Sequence, residues 1–205
     1  FDAVRGGASI LRSNLTDAES TGTTYISSFG ANGFTTTNNI LSAGASYVAW
    51  TWDAGSSTVT NTQGSISSQV RANASAGFSI VTYTGNGGAS TIGHGLGVAP
   101  SLIIIKSRSS TDGWPVYHAS VGNTAFLYLN QTSASVTNSA AWNNTSPTSS
   151  VFTVGFGTLM NTNGNNHVAY CFAPVAGYSA FGSYTGNGSA DGPFVYTGFR
   201  PRWLL

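Results

Sequence analysis

Acid–base, nucleophilic or metal chemistry in this 205-residue chain has to be built from six carboxylates, three histidines and one cysteine. The carboxylates are Asp2, Asp17, Glu19, Asp53, Asp112 and Asp191, and they are scattered. Glycoside hydrolysis normally needs two of them flanking one bond, yet the stretch 78–176 contains only Asp112. His94, His118 and His167 all fall within that stretch and are the natural candidates for a metal cluster or a catalytic base. Cys171 sits between Tyr170 and Phe172, the setting of a buried, inert thiol. Gly93-His94-Gly95-Leu96-Gly97 has the look of a phosphate cradle, but Val98-Ala99-Pro100 and an apolar run follow it, not the helix N-terminus such a loop requires. The expectation is a chain that is not an enzyme and has neither metal nor cofactor.

Two tryptophans offer a different chemistry. Trp114 lies in Asp112-Gly113-Trp114-Pro115 and Trp142 in Ala141-Trp142-Asn143-Asn144. Sugars stack their C–H faces on aromatic rings and give their hydroxyls to directional partners, so Trp114, Trp142, Asp112 and Asn143 are the candidate ligand-binding residues. The competing reading is that both rings plug the ends of an apolar core.

These residues sit on a sequence that repeats itself. Tyr83-Thr84-Gly85-Asn86-Gly87 recurs as Tyr184-Thr185-Gly186-Asn187-Gly188, an offset of 101 that also maps Gly97 to Gly198 and Pro100 to Pro201. Offsets of 116 and 120 set Ile10-Leu11 against Phe126-Leu127, Gly6 against Gly122, and Tyr47-Val48-Ala49-Trp50 against His167-Val168-Ala169-Tyr170. The expected organisation is the C-terminal part of a first β module at 1–55, a linker or extended inter-module segment at 56–76, a complete module at 77–176, and the N-terminal part of a third at 177–205, with more chain expected after Leu205. Fixed-period self-similarity of roughly 100 residues marks an array, which serves as a spacer or a display surface. The counterparts of His94, His118 and His167 are Val195, Asp2 and Tyr47, a poor basis for a metal triad shared by every copy.

Composition narrows the class further. Charged residues are 6% of the chain and aromatics 12%, against about 25% charged in ordinary globular domains. Polar surface must come from Ser, Thr, Asn and Gly, and cohesion from apolar packing and backbone ladders. The net charge is +1, with Lys106 the only lysine, so no basic stripe exists to follow a phosphate backbone. The apolar run Leu102 to Ile105 is too short to span a bilayer. Neither nucleic acid nor membrane is an expected partner. The sequons at Asn14, Asn73, Asn130, Asn144 and Asn187 are what chance gives in so Asn-, Ser- and Thr-rich a chain.

Short apolar runs alternating with Gly, Asn and Ser punctuation read as strands and turns. Strands are predicted at Tyr47 to Trp52, Phe78 to Tyr83, Leu102 to Lys106, Phe126 to Leu129, Val151 to Val154, His167 to Phe172 and Phe181 to Tyr184. Phe78 to Tyr83 has the alternation of a half-buried strand, and Leu102 to Ile105 reads as a strand covered on both faces. Thr84 to Gly88, Asn32-Gly33 and Asn163-Gly164 are the turns. The fold class is all-β: tandem antiparallel β-sandwich modules of jelly-roll or lectin-like type.

The runs 77–87, 93–100, 167–173 and 181–194, from Gly77-Phe78-Ser79-Ile80 to Asp191-Gly192-Pro193-Phe194, resemble a repeat family in virion proteins of tailed bacteriophages, marine phages in particular, often labelled tail-fibre-like. The resemblance covers most of 1–205. It implies a virion structural protein, a fibre or appendage exposed on the particle surface that contributes to host attachment. Its implied partners are other virion proteins, copies of itself and a host surface glycan. The alternatives are a carbohydrate-binding, lectin-like module and a capsid-decorating protein.

Overall fold

The computed structural model describes residues 1–37, 41–156 and 158–205. Its strands in chain order are β1 (Ile26–Gly30), β2 (Gly33–Thr36), β3 (Val59–Asn61), β4 (Ser68–Asn73), β5 (Phe78–Thr84), β6 (Ser90–Gly93), β7 (Leu102–Ser107), β8 (Pro115–His118), β9 (Ala125–Tyr128), β10 (Val136–Thr137), β11 (Val151–Val154) and β12 (Asn166–Phe172). One helical turn, α1 (Thr158–Asn161), precedes β12. Eight strands form one antiparallel sheet in the order β10-β9-β8-β7-β12-β5-β4-β3; β11 pairs with β6, and β1 with β2. The fold is an all-β sandwich.

Side-chain alternation decides what each face of the large sheet meets. On β12, Ala169 and Cys171 point into the main core beside Val81 and Tyr83 of β5 and Ile103 and Ile105 of β7. The β6–β11 layer closes over them with Ile92, Phe152 and Val154, helped by Trp142 and Met160. Val168, Tyr170 and Phe172 point the other way, with Phe78, Ile80 and Ile104. Because β7 is covered on both sides, its run Leu102–Ile105 has no polar face to show.

The second face is covered by the first residues of the chain. Val4 and Leu11 pack on it, and an ion cluster fastens them. Arg5 pairs with Asp2 and, at 2.6 Å, with Glu19, and donates to Tyr170 Oη of β12 at 2.9 Å. Glu19 also receives Arg108 at 2.7 and 2.9 Å. Four of the 13 charged side chains of the chain thus meet in one place, a local exception to the expectation that charge has no part in cohesion. Breaking such a cluster is costly because it strands a buried partner.

Segment 56–76, read from sequence as a linker or extended segment, carries β3 and β4. Val70 opposes Val81 in the β4–β5 ladder, and Ile66 bridges to Ile92 of the facing layer. Two buried aliphatics in a Ser-, Thr- and Gln-rich stretch are enough to dock it. The predicted strands Tyr47 to Trp52 and Phe181 to Tyr184 are not strands. Their counterparts in β12 and β5 have ladder partners on both sides; these segments have none among the described residues.

What the copies share is turns. Gly6 N donates to Asp2 O at 2.9 Å, as Gly122 N donates to His118 O at 3.0 Å. Ala45 N donates to Ser42 O and Asn165 N to Thr162 O, at the 120 offset. Ser189 N donates to Asn187 Oδ1 as Gly88 N does to Asn86 Oδ1. Gly87 and Gly188 have φ of 76° and 69°, a region that glycine enters without strain. Local hydrogen bonds are therefore reproduced between copies; among the described residues, the ladders joining β5, β7 and β12 have no equivalent in the flanking copies. There the Tyr83–Gly87 motif earns its composition: Gly85 N donates to Asn165 O, Gly164 N to Gly85 O and Asn86 N to Asn161 Oδ1, and a Cβ on Gly85 would strike the Thr162 carbonyl.

The two motif tyrosines should answer differently to truncation. Tyr83→Ala is expected to lower unfolding free energy by about 3–5 kcal/mol, as for other large aromatics removed from a core. Tyr184→Ala should change it by no more than about 0.5 kcal/mol. Urea titrations of the two variants in dilute solution compare them, and equal losses would contradict the asymmetry.

Candidate functional site

The four candidate ligand residues do not converge. Trp114 is 4% exposed and packs with Ile104 and Val116 on the N-terminal side of the sheet. Its Nε1 donates to the carbonyls of Arg12 and Leu15 at 3.1 and 3.0 Å, so it clamps the covering segment. Trp142 is 1% exposed in the opposite core, edge-on to Tyr117, with Nε1 donating to Ala125 O at 3.0 Å. Neither ring has a face free for a sugar, and the ligand-binding expectation for both is corrected: large rings beside Gly, Pro and Asn closed the core ends. Asn143, at φ 50°, is an exposed turn residue. Asp112 accepts from Ser110 Oγ, which lies 2.6 Å from Ser107 Oγ, and it serves the loop after β7.

The ionisable groups are arranged for burial. Lys106 is buried, its Nζ donating to the carbonyls of Ser107 and Ser110 at 2.7 and 3.0 Å. Burial lowers its pKa, opposed by Asp112. His94 accepts from Leu96 N through Nδ1 and contacts Thr148 O through Nε2, which fixes the neutral tautomer with the proton on Nε2. His167 stacks on Tyr83, donates from Nδ1 to Asn165 O, and leaves Nε2 without a partner. Burial pushes its pKa down to about 4. Burial pushes the Cys171 thiol up to about 12, far from a reactive thiolate. Burial alone would raise Asp2 and Glu19, but the Arg5 charge on Asp2, and hydrogen bonds from Arg108 and Arg5 to Glu19, hold both below the usual carboxylate range. Among the described residues no three His, Cys, Asp or Glu side chains are grouped to hold a metal ion, and no helix is long and apolar enough to cross a membrane.

One concave surface is a cavity of about 240 Å³ where β4, β5 and β12 lie side by side. Ser67 and Gln69 form one wall, Thr82, Tyr83 and Thr84 the floor, and Asn166 and Arg108 the other wall. Arg108 is aimed by its two bonds to Glu19. The lining offers hydroxyls, amides and one guanidinium but no carboxylate, histidine or thiol. Such a surface can hydrogen-bond a neutral polyhydroxylated ligand. The polar phase of β5 was visible in its alternation, but its pairing with Gln69 was hidden because 56–76 lacks an apolar strand pattern.

A second surface is aromatic. Trp203 contacts Trp50 and Trp52 edge to face at 5.9 and 6.1 Å between centroids, and Trp52 leans on Phe78 and Phe172.

Residues 1–205 match a family described as a domain of unknown function, DUF7483. No curated protein and no solved structure matches the chain.

The histidines set an acid limit. His167 titrates near 4 when folded and near 6.5 when unfolded, so the unfolded chain takes the proton first as pH falls. Stability is full above pH 6.5 and declines between pH 6.5 and 4, by on the order of 3 kcal/mol for this ring, with His94 acting in the same direction. Asp2 and Glu19 extend the loss to lower pH. Urea midpoints at pH 7, 5.5 and 4.5 should fall steadily, with a shallower slope in His167→Phe; a flat profile for the unmodified chain contradicts this.

Proposed function

We propose that this chain, which belongs to the DUF7483 family, is a structural component of a phage virion: a fibre or appendage built from repeated β-sandwich units that reaches from the particle and contributes to host-surface attachment. The observation that carries the reading is the recurrence of one unit's turns, with their hydrogen bonds, on either side of a complete sandwich. Chains that copy a unit in series extend a surface. The resemblance of 77–87 and 181–194 to virion repeat proteins supplies the setting, and the ligand would be a host surface glycan.

The chemistry fits contact without turnover. The groove beside Gln69 and Asn166 has binding groups but no acid–base pair. A shallow site of this kind binds weakly, and serial units gain avidity from simultaneous engagement. A surface with 6% charged residues also depends little on ionic strength. The partners in this reading are other virion proteins and further copies of the chain.

A second reading, a carbohydrate-binding module in its own right, is favoured specifically by the hydroxyl- and amide-lined groove.

Gold-labelled antibody against the chain should decorate a fibre or appendage on intact particles. Label confined to the head would make it a capsid decoration, and unlabelled particles would overturn the virion assignment. On an array of host surface glycans, saturable binding that Gln69→Ala with Asn166→Ala reduces at least tenfold would support the carbohydrate reading. Absence of any binding would refute it.

A further inference from the structure

The outward face of the large sheet changes character along its strands. On β5, Phe78 and Ile80 lie under the N-terminal segment; the alternation then puts Thr82 and Thr84 on the same face. On β12 the outward series Phe172, Tyr170, Val168 ends at Asn166. Gln69 of β4 lies opposite Thr82, and Asn166 opposite Thr84. The polar end of this face is the groove, and its volume of about 240 Å³ is below the roughly 300–1,000 Å³ of sites for drug-sized ligands. It has room for one sugar unit or one substituent.

Hydrogen bonds inside the protein decide what the groove can still offer. Asn166 Oδ1 accepts from Thr84 Oγ1 at 3.0 Å, which leaves the Asn166 amide nitrogen to donate outward. Arg108 commits Nε and Nη2 to Glu19, which leaves Nη1. Arg108 N also donates to Asn166 O at 2.8 Å, so these two residues form one donor wall. On the other side Gln69 Nε2 donates to Thr60 Oγ1 at 3.0 Å, which leaves Gln69 Oε1 as an acceptor. The groove is therefore polarised across its width, donors on the β12 side and an acceptor on the β4 side.

Its charge is balanced. Asp2, Arg5, Glu19 and Arg108 pair with one another, two carboxylates against two guanidiniums. An acidic ligand attracted by Arg108 would also meet the Glu19 carboxylate bound to it, and the two contributions oppose.

We propose that the groove recognises the acetamido group of a neutral N-acetylated amino sugar. A secondary amide is planar and trans, so its C=O and N–H point in opposite directions. Its carbonyl oxygen has two lone pairs for the Asn166 amide and Arg108 Nη1, and its N–H faces Gln69 Oε1. The walls rise from β4 and β12 on either side of β5, two strand spacings or roughly 9.5 Å apart. That is wide enough for one amide held by a hydrogen bond of about 2.9 Å at each end. A plain hydroxyl in its place leaves one wall unmatched. The inference rests on the carbohydrate reading of the groove and names the sugar class it takes.

Titration of the ¹⁵N-labelled chain with three trisaccharides tests it: the β-1,4 trimer of N-acetylglucosamine, the β-1,4 trimer of glucose, which differs in the acetamido group, and a uronic-acid trimer. The N-acetylated trimer should shift the side-chain amide signals of Gln69 and Asn166 and bind at least fivefold more tightly than either of the others. Asn166→Asp still accepts from Thr84 but has no amide to donate, and it should abolish that preference with the thermal midpoint unchanged. Equal binding of the glucose trimer, or tighter binding of the uronic acid, would overturn the acetamido assignment and leave the carbohydrate reading standing. Shifts confined to residues outside the groove, or a preference that survives in Asn166→Asp, would overturn the assignment too. Silence with all three sugars would overturn both.

Discussion

Everything in this sandwich hangs on β12. It lies between β5 and β7, which are themselves covered on both faces, and Val168, Ala169 and Cys171 along it are fully buried. Its inward side chains meet the β6–β11 layer and its outward ones meet the N-terminal segment. A strand so placed can hold no unpaired backbone group: its ladder to β5 runs its full length and its ladder to β7 runs from His167 to Phe172. The outward Tyr170 then becomes the anchor for Arg5, so the covering segment is attached to the same strand that organises the core.

Scarcity of charge shapes the rest. With so few ionisable residues, the chain spends four of them on the Asp2–Arg5–Glu19–Arg108 cluster and buries Lys106 against carbonyls. The rest of the polar surface is supplied largely by hydroxyls and amides, beside exposed apolar side chains such as Trp50, Phe194 and Tyr196. Polar groups of that kind are suited to weak hydrogen-bonded contacts that persist in salt. The same cluster positions Arg108 at the polar groove, which ties this electrostatic feature to the candidate ligand surface.

Local signals in the sequence translated into structure where a neighbour existed to complete them. Phe78 to Tyr83, Leu102 to Lys106 and Val151 to Val154 became strands because alternation or a continuous apolar run matched the faces they met. Asn163-Gly164 and Asn32-Gly33 became turns because their requirement is local. Tyr47 to Trp52 has the same strand-like composition as β12, yet pairing is a property of two segments and composition describes only one. The Ser68–Asn73 strand was concealed for the opposite reason: its side chains are mostly polar, and what fixes it is backbone pairing to β5. Trp114 and Trp142 looked available because Gly, Pro and Asn surround them, but those neighbours turn the chain so that the rings face inward. The groove was unreadable since its walls are separated by nearly a hundred residues and meet only through sheet order.

The central claim is that matching repeat segments are held in the complete unit by ladders and left without them in the flanking copies. Native-state amide hydrogen exchange on dilute protein tests it most directly, because exchange reports the free energy of opening each hydrogen bond. The account predicts that amides of β5, β7 and β12 exchange only through global unfolding, while those of 47–52 and 181–188 exchange orders of magnitude faster. Equal protection of Tyr83–Gly87 and Tyr184–Gly188 under those conditions would contradict it.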